Sequence, residues 1–193
     1  MALERTGYPP VAPELLAACN GPSYDEAAAL VGVPPEDRAR FYQARLQAEL
    51  EIIPAVQKLF PGIREALERL QSIADMVIVS NGLEAYLKTC LQVFQLDRMF
   101  LRVEPWQQGR SKTQALQEAL RATQPERCLM IGDRAGDIGA ARACGIPCVC
   151  AAYGYGDEKE AALADAAANT VSELEQILEA FISKGTLSGE ACG

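Results

Sequence analysis

The sequence predicts an α/β chain: a doubly wound, Rossmann-like parallel sheet with helices on both faces, preceded by a small all-helical lobe. Three observations carry this. From about residue 60 onward, short apolar runs alternate with segments of helical periodicity. Each run is near-continuously apolar, as strands buried on both faces are. Residues 10–58 instead mix polar and apolar residues at helical spacing, with no strand-like run.

The elements follow in order. The lobe holds helices over 13–19 and 24–32 and a longer one over 36–58, where Pro54 is placed to kink or end it. After Phe60-Pro61-Gly62 the pattern changes. A helix over 63–72 precedes the strand Met76–Ser80, the turn Asn81-Gly82 and a helix over 83–94. The second strand is Met99–Val103. It leads through the loop 104–111 into a helix over 112–122. The third strand, Cys128–Ile131, runs into Gly132-Asp133-Arg134-Ala135-Gly136-Asp137, which opens the helix 138–145. Strand Pro147–Ala151, the loop 153–160 and a last helix over 172–184 complete the body, and the tail from Gly185 is expected to be disordered. The domains are then a helical lobe over 10–58 and an α/β body over 59–184.

Composition narrows the function. The chain has 193 residues, 49% hydrophobic and 23% charged, which suits a globular protein with its own core. Acidic residues outnumber basic ones 26 to 18, giving a net charge of −8. That argues against nucleic acid or an anionic membrane surface as partner. No histidine is present, which excludes Ser-His-Asp and Cys-His catalysis and His-ligated zinc. No run is long enough to span a membrane, and the start lacks a secretory signal pattern, so a cytoplasmic protein is expected. The seven cysteines read as reduced, mostly buried thiols. Cys144, Cys148 and Cys150 lack a CxxC pair and read as core packing rather than a metal cluster.

In doubly wound sheets, ligands sit at the carboxyl ends of the strands. Three such ends carry chemistry. Ser80-Asn81-Gly82 offers a hydroxyl and backbone N–H groups at a helix start, which suits a phosphate; the same residues suit an N-cap and a plain turn. Asp133 and Asp137, four residues apart, bring two carboxylates together; these suit Mg²⁺, the alternative being a capping Asp and a surface Asp near a helix N-terminus. Lys112 is a cation at a helix start, where the dipole disfavours it; a negative ligand or simple exposure accounts for it. Arg110 is a weaker instance of the same case. Trp106 reads as cover for the edge of the core. Together these ends would form a phosphate and Mg²⁺ site.

These residues resemble the haloacid dehalogenase superfamily, in its phosphoglycolate phosphatase-like branch with a helical cap. The likeness runs from about Ala2 to Phe181. It is strongest over Met130–Ala140 and through Tyr153-Gly154-Tyr155-Gly156, with Phe60–Ile63 and Ser80-Asn81-Gly82 adding to it. The resemblance implies that Ser80 and the Asn81 amide hold phosphoryl oxygens. Lys112 would bridge phosphate and nucleophile, and Asp133 would ligate Mg²⁺ with Asp137 as ligand or partner. Gly21, Pro22 and Ser23 would lie in a cap loop facing the substrate. Residues 1–9 would be the remnant of the first core helix.

One element of the resemblance is not found. The family opens with a strand ending in Asp-x-Asp-Gly-Thr, whose first Asp attacks phosphorus and whose second is the general acid/base. No such segment precedes the lobe, and Asp25, Asp37 and Asp75 lack its context. In the family that strand is central, so the chain is expected to lack it and to leave a slot of about 9.6 Å. Weak, non-cooperative thermal unfolding is expected as a result. The resemblance thus implies a Mg²⁺-dependent phosphatase of small phosphorylated metabolites, acting through an aspartyl-phosphate and inactive in this form. The alternative is a non-catalytic relative that binds a phospho-ligand or a partner chain. A third reading, a receiver- or flavodoxin-like protein, fits poorly with the helical lobe and with the Gly132–Asp137 placement.

Overall fold

A computed structural model describes residues 2–184 and 187. The elements, in chain order, begin with helices α1 (Ala2–Thr6), α2 (Pro13–Ala18) and α3 (Tyr24–Leu30). A 3₁₀ turn (Pro35–Asp37) precedes α4 (Arg38–Val56), and α5 (Ile63–Gln71) follows. Then come β1 (Val77–Val79), α6 (Glu84–Val93), β2 (Arg102–Glu104) and α7 (Lys112–Thr123). The chain continues through β3 (Met130–Gly132), α8 (Ala135–Ala143), β4 (Cys148–Ala151), α9 (Glu158–Ala161), β5 (Ala166–Ala168) and α10 (Val171–Lys184). The chain divides into two compact units, Met1–Leu59 with Met76–Ser111, and Phe60–Asp75 with Lys112–Gly193. These lines differ from a cut at residue 58, because β1, α6 and β2 group with the helical segment.

The first unit packs its helices around an aromatic cluster. Leu3, Tyr24, Ala28, Val33, Phe41 and Tyr42 are buried together, with Leu83 and Trp106 against them. Tyr24 stacks on Trp106 at 5.5 Å between ring centroids, and Tyr42 meets the same indole edge-on at 5.4 Å. Trp106 therefore belongs to this cluster. Such aromatic pairs add about 1 kcal/mol each beyond the area they bury. Buried tyrosine hydroxyls need partners, and carboxylates supply them: Tyr24 donates to Glu49 at 2.5 Å, and Tyr42 to Asp25. Burial and the Asp25 bond push the Tyr42 hydroxyl up to about 12. Helix α4 ends at Val56, within one turn of Pro54, as expected for a proline-terminated helix.

The two sheets are parallel. In the first unit β1 pairs with β2, Val77 opposite Arg102 and Val79 opposite Glu104. In the second, the order is β3-β4-β5, with Met130 opposite Cys148 and Val149 opposite Ala166. The predicted β1, β3 and β4 runs form strands. The second predicted strand shifts from 99–103 to 102–104, because Leu101 is 62% exposed and its amide turns in to the Met76 carbonyl. β5 was not expected, since its three alanines carry no β signal.

Burial on both faces holds for β4, where Cys148, Val149 and Cys150 are each at most 1% exposed. It does not hold for β1, which is half-buried throughout, or for Ile131 of β3, which is 40% exposed. Among the described residues each of these strands is hydrogen-bonded to one neighbour only, as an edge of its own sheet. The predicted tail, 185–193, lies outside the described residues apart from Leu187. Of the six described cysteines, Cys148 and Cys150 are buried in β4 as expected, but Cys19, Cys90, Cys128 and Cys144 are only half-buried, so the expectation of mostly buried thiols holds for β4 alone. Burial first, then nearby Asp137 and Asp165, push the Cys148 thiol up to about 12. Among the described residues no helix is long and apolar enough to cross a membrane.

Candidate functional site

In the first unit, β1 runs directly into Ser80-Asn81-Gly82 and then α6. The Ser80 amide donates to the Glu104 carbonyl at 2.9 Å, carrying the ladder one residue past the strand. The Gly82 amide donates to Ser80 Oγ at 3.0 Å, which closes a tight turn. That bond uses an oxygen lone pair of Ser80, not its hydroxyl proton. The Gly82 carbonyl accepts from the Trp106 amide at 2.9 Å. A Cβ on Gly82 would stand 3.0 Å from Tyr86 and 3.2 Å from Leu87, so the close approach favours glycine. The Asn81 side chain leaves the turn altogether: its Nδ2 donates to the Gly21 carbonyl at 2.7 Å.

That bond joins two segments the sequence singled out separately. Gly21 has φ +102°, a conformation that favours glycine and aims its carbonyl at Asn81. Pro22 is half-buried beside it. Ser23 is the N-cap of α3: its Oγ accepts from the Glu26 amide at 3.2 Å, and Glu26 returns a carboxylate to the Ser23 amide at 2.7 Å. The Ser23 oxygen is therefore engaged in capping. Arg110, for which a negative ligand or simple exposure was open, donates to Glu104 at 2.9 Å and to the Pro105 carbonyl at 2.5 Å. Glu104 is 4% exposed and also bonds Arg102. Burial opposes its ionisation, but the two guanidiniums outweigh this and hold its carboxyl below the usual range.

In the second unit Asp137 joins Lys112 through its carboxylate and Asp133 through that residue's backbone amide. Lys112 is the first residue of α7, and its Nζ lies 2.5 Å from Asp137 Oδ1, with both side chains largely buried. This answers why a cation stands at a helix start. Asp137 supplies the negative partner, and the pair offsets the unfavourable dipole. The other oxygen of Asp137 accepts from the amides of Asp133 at 3.2 Å and Arg134 at 3.1 Å, capping α8. Gly132 is obligatory here, because a Cβ on it would overlap the Asp137 side chain.

Asp133 stands just past β3. Its Oδ2 accepts from the Tyr155 amide at 2.7 Å. The loop Tyr153-Gly154-Tyr155-Gly156 lies flat on this residue: a Cβ on Gly154 would sit 2.5 Å from Asp133, and one on Gly156 would overlap the Asp133 carbonyl. Glu160 was not singled out in the sequence. It accepts from the Ala135 amide at 2.8 Å and from Arg134 Nε at 3.2 Å. Burial opposes its charge, but those bonds and the Asp157 amide keep its carboxyl lowered. The signal that could have found it is Asp157 three residues upstream, a capping-box spacing.

A magnesium ion fits these residues only in part. Mg²⁺ takes carboxylate oxygens with several waters. Asp133 presents a carboxylate at the strand end, but Asp137 has both oxygens committed to Lys112 and to amides. Among the described residues, no group of three Cys, Asp or Glu side chains converges as a metal cluster.

A family model described as "Haloacid dehalogenase-like hydrolase" matches residues 1–151. A phosphoglycolate phosphatase from Synechococcus elongatus is 32% identical over 151 residues, covering 75% of this chain and 70% of that protein. One from Chromobacterium violaceum is 28% identical over 192 residues, covering 91% and 85%. Among solved structures, a haloacid dehalogenase-like hydrolase from Streptococcus pneumoniae aligns with TM-score 0.77 at 19% identity, covering 92% of this chain and 86% of that one. A predicted phosphoglycolate phosphatase from Haemophilus somnus aligns with TM-score 0.78 at 20% identity, covering 92% and 87%.

Proposed function

The chain belongs to the haloacid dehalogenase-like hydrolase family, and we propose that it is a magnesium-dependent phosphatase domain for small phosphorylated metabolites of the phosphoglycolate class. The observation that carries this reading is Lys112, an ammonium fixed 2.5 Å from Asp137 beside the strand-end Asp133. A cation held that rigidly is ready to stabilise negative charge without reorganising.

Each residue then has a role. The Ser80 hydroxyl and the Asn81 amide hold phosphoryl oxygens. Lys112 offers an ammonium to the charge that develops on a phosphoryl group, and Asp137 keeps that ammonium in place. Asp133 is the side chain that suits the metal, which when bound supplies charge neutralisation. The loop Gly21-Pro22-Ser23 borders the organic part of the substrate. An aspartyl-phosphate needs a nucleophilic Asp in the Asp-x-Asp-Gly-Thr context, and these 193 residues contain none. The 193-residue form therefore binds phosphate without turning it over. Six described cysteines are free thiols, which supports a reducing compartment such as the cytoplasm.

A second reading has one observation in its favour. With Asp137 committed, Asp133 alone offers a cation a carboxylate from this pair, as in a non-catalytic relative that binds a phospho-ligand or a partner chain. Thermal unfolding with inorganic phosphate and Mg²⁺ tests the binding that both readings require. Phosphate and Mg²⁺ together should raise Tm more than either alone. Asp133→Asn should remove the magnesium share, and Lys112→Met the phosphate share. A folded chain whose Tm neither ion moves would contradict both.

A further inference from the structure

The Asn81 side chain is not needed to close its own turn. Ser80 Oγ and the Gly82 amide do that at 3.0 Å. Its carboxamide reaches instead across 60 residues of sequence to the Gly21 carbonyl at 2.7 Å. The Gly21 carbonyl is set for it by a φ of +102°. The loop is pinned on both sides, by the Asn20 amide on the Ala17 carbonyl at 3.0 Å and by the Ser23 capping box. On the turn's other side the Gly82 carbonyl accepts from the Trp106 amide, and the Trp106 indole lies against Tyr24, the first residue of α3. Strand-end turn and lobe loop are thus joined at two points, one through a side chain and one through the aromatic cluster.

We infer that Asn81 is a positioning residue: its carboxamide latches the lobe loop 19–23 to the strand-end turn 80–82, so that an anion held by the turn also orders the loop. The functional part of this rests on the reading of Ser80–Gly82 as a phosphoryl-binding turn. The direction follows from linkage. If an ordered turn presents Nδ2 to Gly21, phosphate that orders the turn must also favour the latched loop. A chain without the donor loses that coupling, whatever its affinity for phosphate.

The experiment is amide hydrogen exchange on the full chain at Asn20 and Ser23, with inorganic phosphate as probe and the amide shifts of Ser80–Gly82 reporting its binding. Asn81→Asp keeps the shape and replaces the donor by an acceptor; Asn81→Ala removes the group. Unchanged exchange at Ile53, deep in α4, verifies that each variant is folded. Both variants should exchange about fivefold faster at Asn20 and Ser23 without phosphate, the effect expected of one lost hydrogen bond. Phosphate that saturates the turn's shifts should slow those two amides in the parent chain and leave them unmoved in Asn81→Asp. Equal rates in parent and variants would overturn the latch, as would equal slowing by phosphate in both. Should phosphate leave the turn's shifts unmoved in the parent while the variants still exchange faster, the latch stands and the phosphoryl reading of the turn fails.

Discussion

Two strand ends in this chain solve a similar problem in different ways. After β1, the turn Ser80–Gly82 is held by backbone amides, one hydroxyl and one outward-reaching amide side chain. After β3, the turn Gly132–Asp137 is organised around a buried ion pair and glycines pressed against carboxylates. The first turn distributes its stability over several neutral bonds, each worth about 1 kcal/mol. The second concentrates it in Asp137, which serves a lysine and two amides at once. The difference predicts that single changes are mild at the first turn and severe at the second.

The largest effect should come from Asp137→Ala. It strands a largely buried Lys112 and uncaps α8, and urea unfolding should show a loss of about 3–5 kcal/mol. Gly132→Ala comes next. Its Cβ has nowhere to go but into Asp137, for a cost of about 2–3 kcal/mol in the same assay. At the first turn, Gly82→Ala meets only the side chains of Tyr86 and Leu87 at 3.0 Å and beyond, and should cost about 1 kcal/mol. A Gly82→Ala loss as large as that of Gly132→Ala would remove the contrast between the turns.

The smallest effect sharpens the comparison through pH. Glu104, at the end of β2, has its carboxyl lowered from the ordinary value of 4.5 by Arg102 and Arg110 acting against burial. A carboxyl lowered in the folded state contributes stability that is complete above the unfolded value. That contribution is lost as pH falls through the folded value. Stability should therefore fall below about pH 4.5, and Glu104→Gln should flatten that part of the profile. A variant with the parent's acid profile would show that the two arginines do not hold Glu104 in its charged form.

Much of the fold was legible because it is written in local pattern. The runs at 77–79, 130–132 and 148–151 are apolar and β-branched or cysteine-rich, and helical periodicity marks α5 to α8 and α10. What was not legible depends on tertiary context. Ala166–Ala168 is a strand because the Val149–Ala151 ladder is beside it, not because alanine prefers one. The apolar run at 99–103 promised a strand from Met99, but the pairing with β1 begins three residues later, at Arg102. The candidate site shows the same split. Ser80, Asn81, Lys112, Asp133 and Asp137 were visible as chemistry at strand ends. That Lys112 and Asp137 are partners, and that Asn81 reaches Gly21, was not, since each pair is joined only by folding.

The most direct test of the phosphatase reading is hydrolysis. The chain is extended upstream of Met1 by a strand ending in Asp-x-Asp-Gly-Thr and given an aryl phosphate with Mg²⁺. The account predicts phosphate release by the extended chain, none by the 193-residue form, and loss of release in extended Lys112→Met and Asp133→Asn. A folded extended chain that binds phosphate but releases none from the ester would contradict it, and would leave the binding protein in its place.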